Sequence, residues 1–259
     1  MTSKNNFLFE KEIRMFGLKR SGLHAANAWV WHYFKPGSVM YQNNTALTFK
    51  ERQQYNTFDE YFGLLESTPQ CYINLIEHLD PQKVHQKLSD PNYEYNTEKK
   101  EIAARYEKKY FSKEEYNIVV LRSPFNNLAS IAQDRGNNSF RKQSAFSFKE
   151  MWMKYAYELI GTTNFFSPGK VPFLFDEWFV NKEYRKNLAS LLGLEFTDLG
   201  LNEVTRRGSS FDKKRYHGKA QEMNVLNRWS QIDEEKRQFY GSVIDKEVID
   251  LWENVKGGL

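Results

Sequence analysis

The chain is poor in cysteine. Among its 259 residues there is one, Cys71, so no intramolecular disulfide can form. Cys71 lies in an apolar stretch that reads as a strand, where a thiol behaves as a small buried hydrophobe. Long apolar runs are missing as well. No segment reaches the roughly 20 residues that a membrane-spanning helix needs, and MTSKNNFLFEKE holds no apolar run of signal-peptide length. The expectation is a cytoplasmic protein with no membrane partner. Charge of one sign is not in large excess: 37 Lys and Arg against 33 Asp and Glu leave +4, with a pI of about 8.9. That balance suits an anionic ligand but is too weak to mark a nucleic-acid binder. Aromatic residues make up 16% of the chain, which favours a packed core over disorder. The length suits one α/β domain spanning 1–259.

What is present is concentrated first in residues 12–34, EIRMFGLKRSGLHAANAWVWHYF. Ile13, Met15 and Phe16 predict a brief buried strand. Gly17 and Gly22 bracket Leu18, Lys19, Arg20 and Ser21, and a helix is predicted from about Leu23 to Phe34. A loop of this kind aims backbone N–H groups at one spot, and the helix N-terminus adds partial positive charge there, so it suits a phosphate or sulfate. Lys19 and Arg20 add two full charges. The glycine spacing is that of a Walker A loop, but Leu23-His24 stands where Lys-Ser/Thr would hold Mg²⁺, so no metal requirement is expected. Trp29, Trp31 and Tyr33 fall within the helix and read as core packing rather than a base-stacking surface, so nucleic acid is not expected as a partner.

Further along, SVMYQN at 38–43 predicts a second strand and CYINLIEH at 71–78 a third. The charge-dense stretch from Gln82 to Lys113 reads as a solvated helix face, with a flap over an active site as the alternative. IVVL at 118–121 is a buried strand of parallel type, Arg122 sits at its carboxyl end, and Pro124 opens a helix. Ligands in open α/β sheets gather outside the carboxyl ends of strands. Ser130 comes about two helical turns later. Taken singly, Arg122 reads as an ion-pair partner and Ser130 as a helix-face residue. Residues 147–165 carry a helical apolar stripe that reads as core. VPFLFDEWF at 171–179 predicts a strand closing in Asp176-Glu177, and a helix with a glycine stop follows. A basic segment over 206–229 leads to Arg228-Trp229, and closing helices finish the chain.

The run Arg20-Ser21-Gly22, between a strand and a helix, resembles the 5′-phosphosulfate loop of sulfotransferases that use 3′-phosphoadenosine 5′-phosphosulfate (PAPS). The form R-S-G-x-H, Arg20 to His24, is similar to a bacterial branch. Arg122 and Ser130 resemble that family's 3′-phosphate motif. Arg206, Arg207 and Gly208, followed by Ser209, Ser210 and Phe211, resemble its loop over the 3′-phosphate and adenine. The resemblance implies a central parallel sheet flanked by helices, with a phosphate loop like that of nucleotide kinases. It implies PAPS as donor, held by Gly17, Lys19, Arg20, Ser21, Gly22, Leu23, His24 and the residues just named. The sulfuryl group would pass by in-line displacement to a hydroxyl or amine of a small-molecule or carbohydrate acceptor, whose pocket would come from 41–70 and 80–115. Arg20, supported by Lys19, would steady the leaving phosphate. His78 is the first candidate for the base, because Glu77-His78-Leu79 resembles the family's histidine-leucine pair, and Glu77 is the second. His24 either orients the loop or contacts phosphate. A P-loop kinase and a nucleic-acid-binding module remain as rival readings.

Overall fold

A computed structural model describes residues 6–35, 37–44, 70–135, 142–203, 211–212 and 215–258. In chain order its regular elements are β1 (Phe7–Gly17), α1 (Leu23–Trp31), β2 (Val39–Asn44), β3 (Cys71–Glu77), α2 (Pro81–Ser89), α3 (Glu94–Arg105) and β4 (Tyr110–Leu121). They continue with α4 (Pro124–Arg135), α5 (Lys142–Leu159), β5 (Lys170–Leu174), α6 (Phe175–Val180), α7 (Lys182–Leu191), α8 (Glu234–Gly241) and α9 (Lys246–Gly257). Three short 3₁₀ turns lie between residues 220 and 231. The five strands form one parallel sheet in the order β2-β3-β1-β4-β5, flanked by helices, which is the predicted α/β class. β2 and β3 pair in register from Val39 opposite Cys71 to Asn44 opposite Ile76.

The strands read as their burial dictates. β1 is buried without interruption from Glu12 to Gly17, β3 from Cys71 to Ile76, and β4 from Asn117 to Leu121. A strand covered on both faces loses its polar alternation in this way. Cys71 is fully buried, as expected. β1 starts at Phe7, well before the predicted Ile13, because Glu10, Lys11 and Glu12 disguise its first half as loop. β5 ends at Leu174, so the predicted strand over 171–179 is corrected: Phe175–Val180 is a helix. Phe175, Trp178 and Phe179, at helical spacing, are its buried residues, and Asp176 and Glu177 occupy its first turn, where a helix favours carboxylates. The glycine stop after α7 is a Schellman turn: Leu194 N–H donates to Ala189 O at 2.9 Å and Gly193 N–H to Ser190 O at 3.0 Å. No helix among the described residues is long and apolar enough to cross a membrane.

The chain gathers into two compact units. The first holds the described residues of 1–16, 34–118 and 165–171. Phe9, Tyr72 and Phe111 form its aromatic centre, with ring centroids 5.1–5.7 Å apart, and Phe16 stacks on Phe166 at 4.2 Å. The stretch that reads as a solvated helix face folds here as α2, α3 and the start of β4. One of its lysines, Lys99, is buried and donates to Glu12 and Glu115. The second unit holds the described residues of 17–33, 119–164 and 172–259. Its centre is Trp29, which meets Tyr33, Phe173 and Trp178 edge-on and donates its indole N–H to Thr197 O at 3.0 Å. Trp29 is thus the core residue that its place in the helix predicts.

Candidate anion-binding site

The second unit contains the glycine-bracketed loop. Ser21 N–H donates to Leu18 O at 3.1 Å, which closes a four-residue turn, and Arg20 takes a positive φ of 65° at its third position, as a type II turn demands. Gly22 follows at φ 95° and caps α1; a Cβ there would lie 2.1 Å from the Phe175 ring. A Cβ on Gly17 would lie 2.7 Å from Ser21 Oγ and 3.0 Å from Val120 O. Both glycines are therefore required by close approach, and Gly22 also by backbone conformation. Among the described residues no side chain caps the start of α1, and its first turn carries no acidic residue. The positive end of the helix thus receives no negative charge from its own first turn. Asn127 Nδ2 donates to Lys19 O at 2.8 Å and Arg122 Nη1 to Arg20 O at 3.3 Å, so two loop carbonyls are anchored by the segment after β4.

That segment also carries a buried arginine, Arg122. Pro124 opens α4 at a position that needs no N–H, and the preceding Ser123 N–H donates to Asp176 Oδ2 at 2.8 Å. Eight residues after Arg122, Ser130 presents its hydroxyl to the guanidinium: Nη1 donates to Oγ at 3.0 Å. Arg228 Nη1 donates to the same oxygen at 3.1 Å, and the hydroxyl itself donates to Asn126 O at 2.9 Å. Ser130 thus uses both lone pairs and its proton. Asn126 places Arg228, since its Oδ1 accepts from the Arg228 N–H at 3.0 Å and its Nδ2 donates to Leu226 O at 2.8 Å. Arg122 also donates to Val225 O and lies 4.9 Å over the Phe175 ring. Arg228 lies 5.0 Å over the Phe211 ring and 3.5 Å from Asp212 Oδ2.

Arg122 is 2% exposed and Arg228 7%. Burial and the neighbouring Arg228 pull Arg122 down to about 9, against the opposing charge of Asp176. Burial likewise lowers Arg228, Asp212 opposes it, and Arg20 adds to it, leaving Arg228 at about 10. Both stay cationic at neutral pH, in surroundings that disfavour the charge. Three buried polar atoms here have no hydrogen-bond partner among the described residues: Arg122 Nε, Ser21 Oγ and Asn127 Oδ1. Chemically, the cluster suits a group with several anionic oxygens, which guanidinium forks grip in pairs.

Of the predicted site residues, the structure brings together Lys19 to His24, Arg122, Ser130 and Phe211 within this unit. Lys19 is exposed at the turn, Arg20 and His24 are half-buried, and Leu23 is buried. Ser21 is wholly buried; its N–H closes the turn and its Oγ lies toward Gly17, so it shapes the loop from beneath. Arg206, Arg207, Gly208, Ser209 and Ser210 lie outside the described residues. Glu77 and His78 belong to the first unit. β3 ends at Glu77, and His78 is exposed at φ 63°, so the strand's alternation of faces stops before it. Arg228 is the member of this cluster that sequence reading did not place here; its only signal is its place at the end of the basic segment. Among the described residues there is no group of three or more side chains that could hold a metal ion. No protein-family model matches the chain, and a search of curated proteins finds no match.

Proposed function

We propose that the chain is a cytoplasmic PAPS-dependent sulfotransferase with a P-loop-like nucleotide site. One observation carries the reading. Arg122 and Ser130, paired in the sequence as a 3′-phosphate motif, are hydrogen-bonded, and the same guanidinium reaches the carbonyl of Arg20 about a hundred residues away. Two motifs expected to hold the two phosphate ends of one nucleotide thus meet in one unit. The residues fit such a group: buried Arg122 Nε awaits an acceptor, and the start of α1 awaits negative charge.

PAPS, when bound, supplies an activated sulfuryl group on a phosphate leaving group. The chain's own part is binding and electrostatics. The N–H groups at the start of α1 and the Arg20 guanidinium steady negative charge as it builds on the leaving phosphate, with Lys19 adding long-range attraction. Arg122 and Ser130 hold the 3′-phosphate and so fix the nucleotide against that loop. Phe211, and the residues from Arg206 to Ser210, complete the nucleotide site in this reading. The acceptor is a small molecule or carbohydrate bearing a hydroxyl or amine, and His78 or Glu77 takes its proton.

The test is calorimetry with 3′-phosphoadenosine 5′-phosphate, adenosine 5′-phosphate and ATP with Mg²⁺. The expected result is binding that needs the 3′-phosphate, needs no added metal, and weakens about 10–100-fold in Arg122→Lys, which keeps the charge but loses the fork. Preference for ATP with Mg²⁺, and indifference to the 3′-phosphate, would overturn the reading in favour of a kinase. Full turnover in both Glu77→Gln and His78→Ala would sink the base assignment alone.

A further inference from the structure

Arg228 and Asp212 have no part in the reading above, and their geometry carries a step that rests on it. Two guanidiniums, both nearly inaccessible to water, converge on one neutral hydroxyl, Ser130 Oγ, at 3.0 and 3.1 Å. A hydroxyl offers two lone pairs and no charge, which is a poor counterpart for two cations removed from water. The carboxylate that faces Arg228 is Asp212, at 3.5 Å from Nη2. That is long beside the 2.7–2.9 Å of a good charge-assisted bond. The same unit makes a tight pair elsewhere: Arg185 meets Asp198 with Nε to Oδ1 at 2.7 Å and Nη2 to Oδ2 at 3.3 Å. Asp212 is also a quarter exposed, so water already shares it.

We propose that Arg228 is a phosphate ligand beside Arg122, and that Asp212 is its loosely held counter-ion, displaced when a doubly charged phosphomonoester enters. Two forks, with the Ser130 hydroxyl turned from Asn126 O to donate to the ligand, match the three outer oxygens of such a group better than those of a singly charged phosphodiester or sulfate ester. Asp212 then sets the affinity, because its carboxylate competes for the guanidinium that the phosphate needs. Arg122 is fixed by bonds to Val225, Arg20 and Ser130, whereas the Arg228 guanidinium bonds Ser130, lies over the Phe211 ring and meets Asp212 at 3.5 Å, the contact that an entering phosphate replaces.

The experiment compares 3′-phosphoadenosine 5′-phosphate with adenosine 5′-phosphate in wild type, Arg228→Gln, Arg228→Lys and Asp212→Asn, with ligand-free melting as a fold control. Arg228→Gln is expected to weaken the bisphosphate about 10–100-fold and the monophosphate less than about 3-fold, with Arg228→Lys between. Asp212→Asn is expected to tighten the bisphosphate several-fold. Ligand-free Arg228→Gln is expected to melt no lower than wild type, since a like charge beside Arg122 has gone. A folded Arg228→Gln with an unchanged ratio between the two ligands would overturn the ligand role. An Asp212→Asn that binds no tighter would overturn the counter-ion role, and it decides the matter should Arg228→Gln fail to fold. A wild-type chain indifferent to the 3′-phosphate would instead overturn the sulfotransferase reading beneath both.

Discussion

Two buried arginines, one in each unit, are treated in opposite ways. Arg14 donates to Glu115 at 2.7 Å and to Asn117 Oδ1 at 2.9 Å, and its Nη1 lies 3.5 Å from Glu12. Burial alone would lower it, but Glu12 and Glu115 hold it above its ordinary range. Arg122 is as deeply buried and is pulled down, first by burial and then by Arg228. Around Arg14, two carboxylates match two cations, the second being Lys99. Around Arg122, two guanidiniums meet on a neutral hydroxyl, Asp176 accepts from the Ser123 N–H, Asp212 stands 3.5 Å from Arg228, and Arg20 adds a third cation. A network neutralised by its own chain needs nothing more to be stable. A cluster left with excess charge is stabilised by whatever anion enters it, which is the property a binding site needs.

The largest effect should come from breaking the neutral network. Glu12 accepts from Lys99 Nζ at 2.5 Å, from the Tyr95 hydroxyl at 2.9 Å and from the Ser112 hydroxyl at 3.1 Å. Glu12→Gln leaves Arg14 and Lys99 with Glu115 alone, and removing one partner of a buried charge network costs about 3–5 kcal/mol. Urea unfolding measures it. A loss under about 1 kcal/mol would show that the network is no more than a solvated cluster and would erase the contrast with Arg122.

Next in size is the loop itself. Gly22→Ala forces a Cβ to within 2.1 Å of the Phe175 ring and strains a residue at φ 95°. The combined cost should be roughly 2–4 kcal/mol, with nucleotide binding lost together with it. Phe175→Leu in the same chain should return part of the stability by relieving the clash, but not the part due to backbone strain. Full recovery would mean that the conformation at Gly22 is not constrained.

How much of this was legible beforehand depends on whether a contact is local. Arg122 and Ser130 are paired through the resemblance to a 3′-phosphate motif, and their bond is within reach of local structure, because strand end, proline start and helical pitch determine where the eighth residue falls. The loop from Gly17 to Gly22 was readable for the same reason. Arg228 was not, because what brings it to Ser130 is the side chain of Asn126, 102 positions earlier, bonded to its backbone. Glu12 and Lys99 look like surface charges in the sequence, and it is their bond across 87 positions, with Tyr95, Ser112 and Glu115 beside it, that makes burial tolerable. The apolar run VPFLFDEWF fits strand and helix alike, and the choice falls at Leu174, after which Phe175, Trp178 and Phe179 bury one helical face.

A ligand should sharpen the contrast from the other side. At a hundredfold excess over Kd, 3′-phosphoadenosine 5′-phosphate should stabilise the protein by about 2.7 kcal/mol, read as a rise in melting temperature. In Arg122→Lys the same concentration should give clearly less, because the ligand no longer saturates. An equal rise with adenosine 5′-phosphate at the same concentration would mean that the arginine cluster is not where the 3′-phosphate is held.

The smallest effect lies at the solvent edge of the neutral network. Burial pushes the Glu115 carboxyl up, but Arg14 and Lys99 outweigh it and bring the group down to about 2 from an ordinary 4.5. A carboxylate with a lowered folded value contributes stability that is present above about pH 4.5 and is lost as the pH falls toward 2. The side chain is 45% exposed, so solvent screens the pair and the contribution should stay at or below about 1 kcal/mol. Glu115→Gln should therefore be slightly less stable than wild type at pH 7 and indistinguishable from it at pH 2, in urea midpoints taken across that range. Arg14 would keep Glu12 in the variant, so the fold should survive. Curves that stay parallel from pH 7 to 2 would mean that Glu115 adds nothing to the pairing and that Glu12 alone holds Arg14 and Lys99.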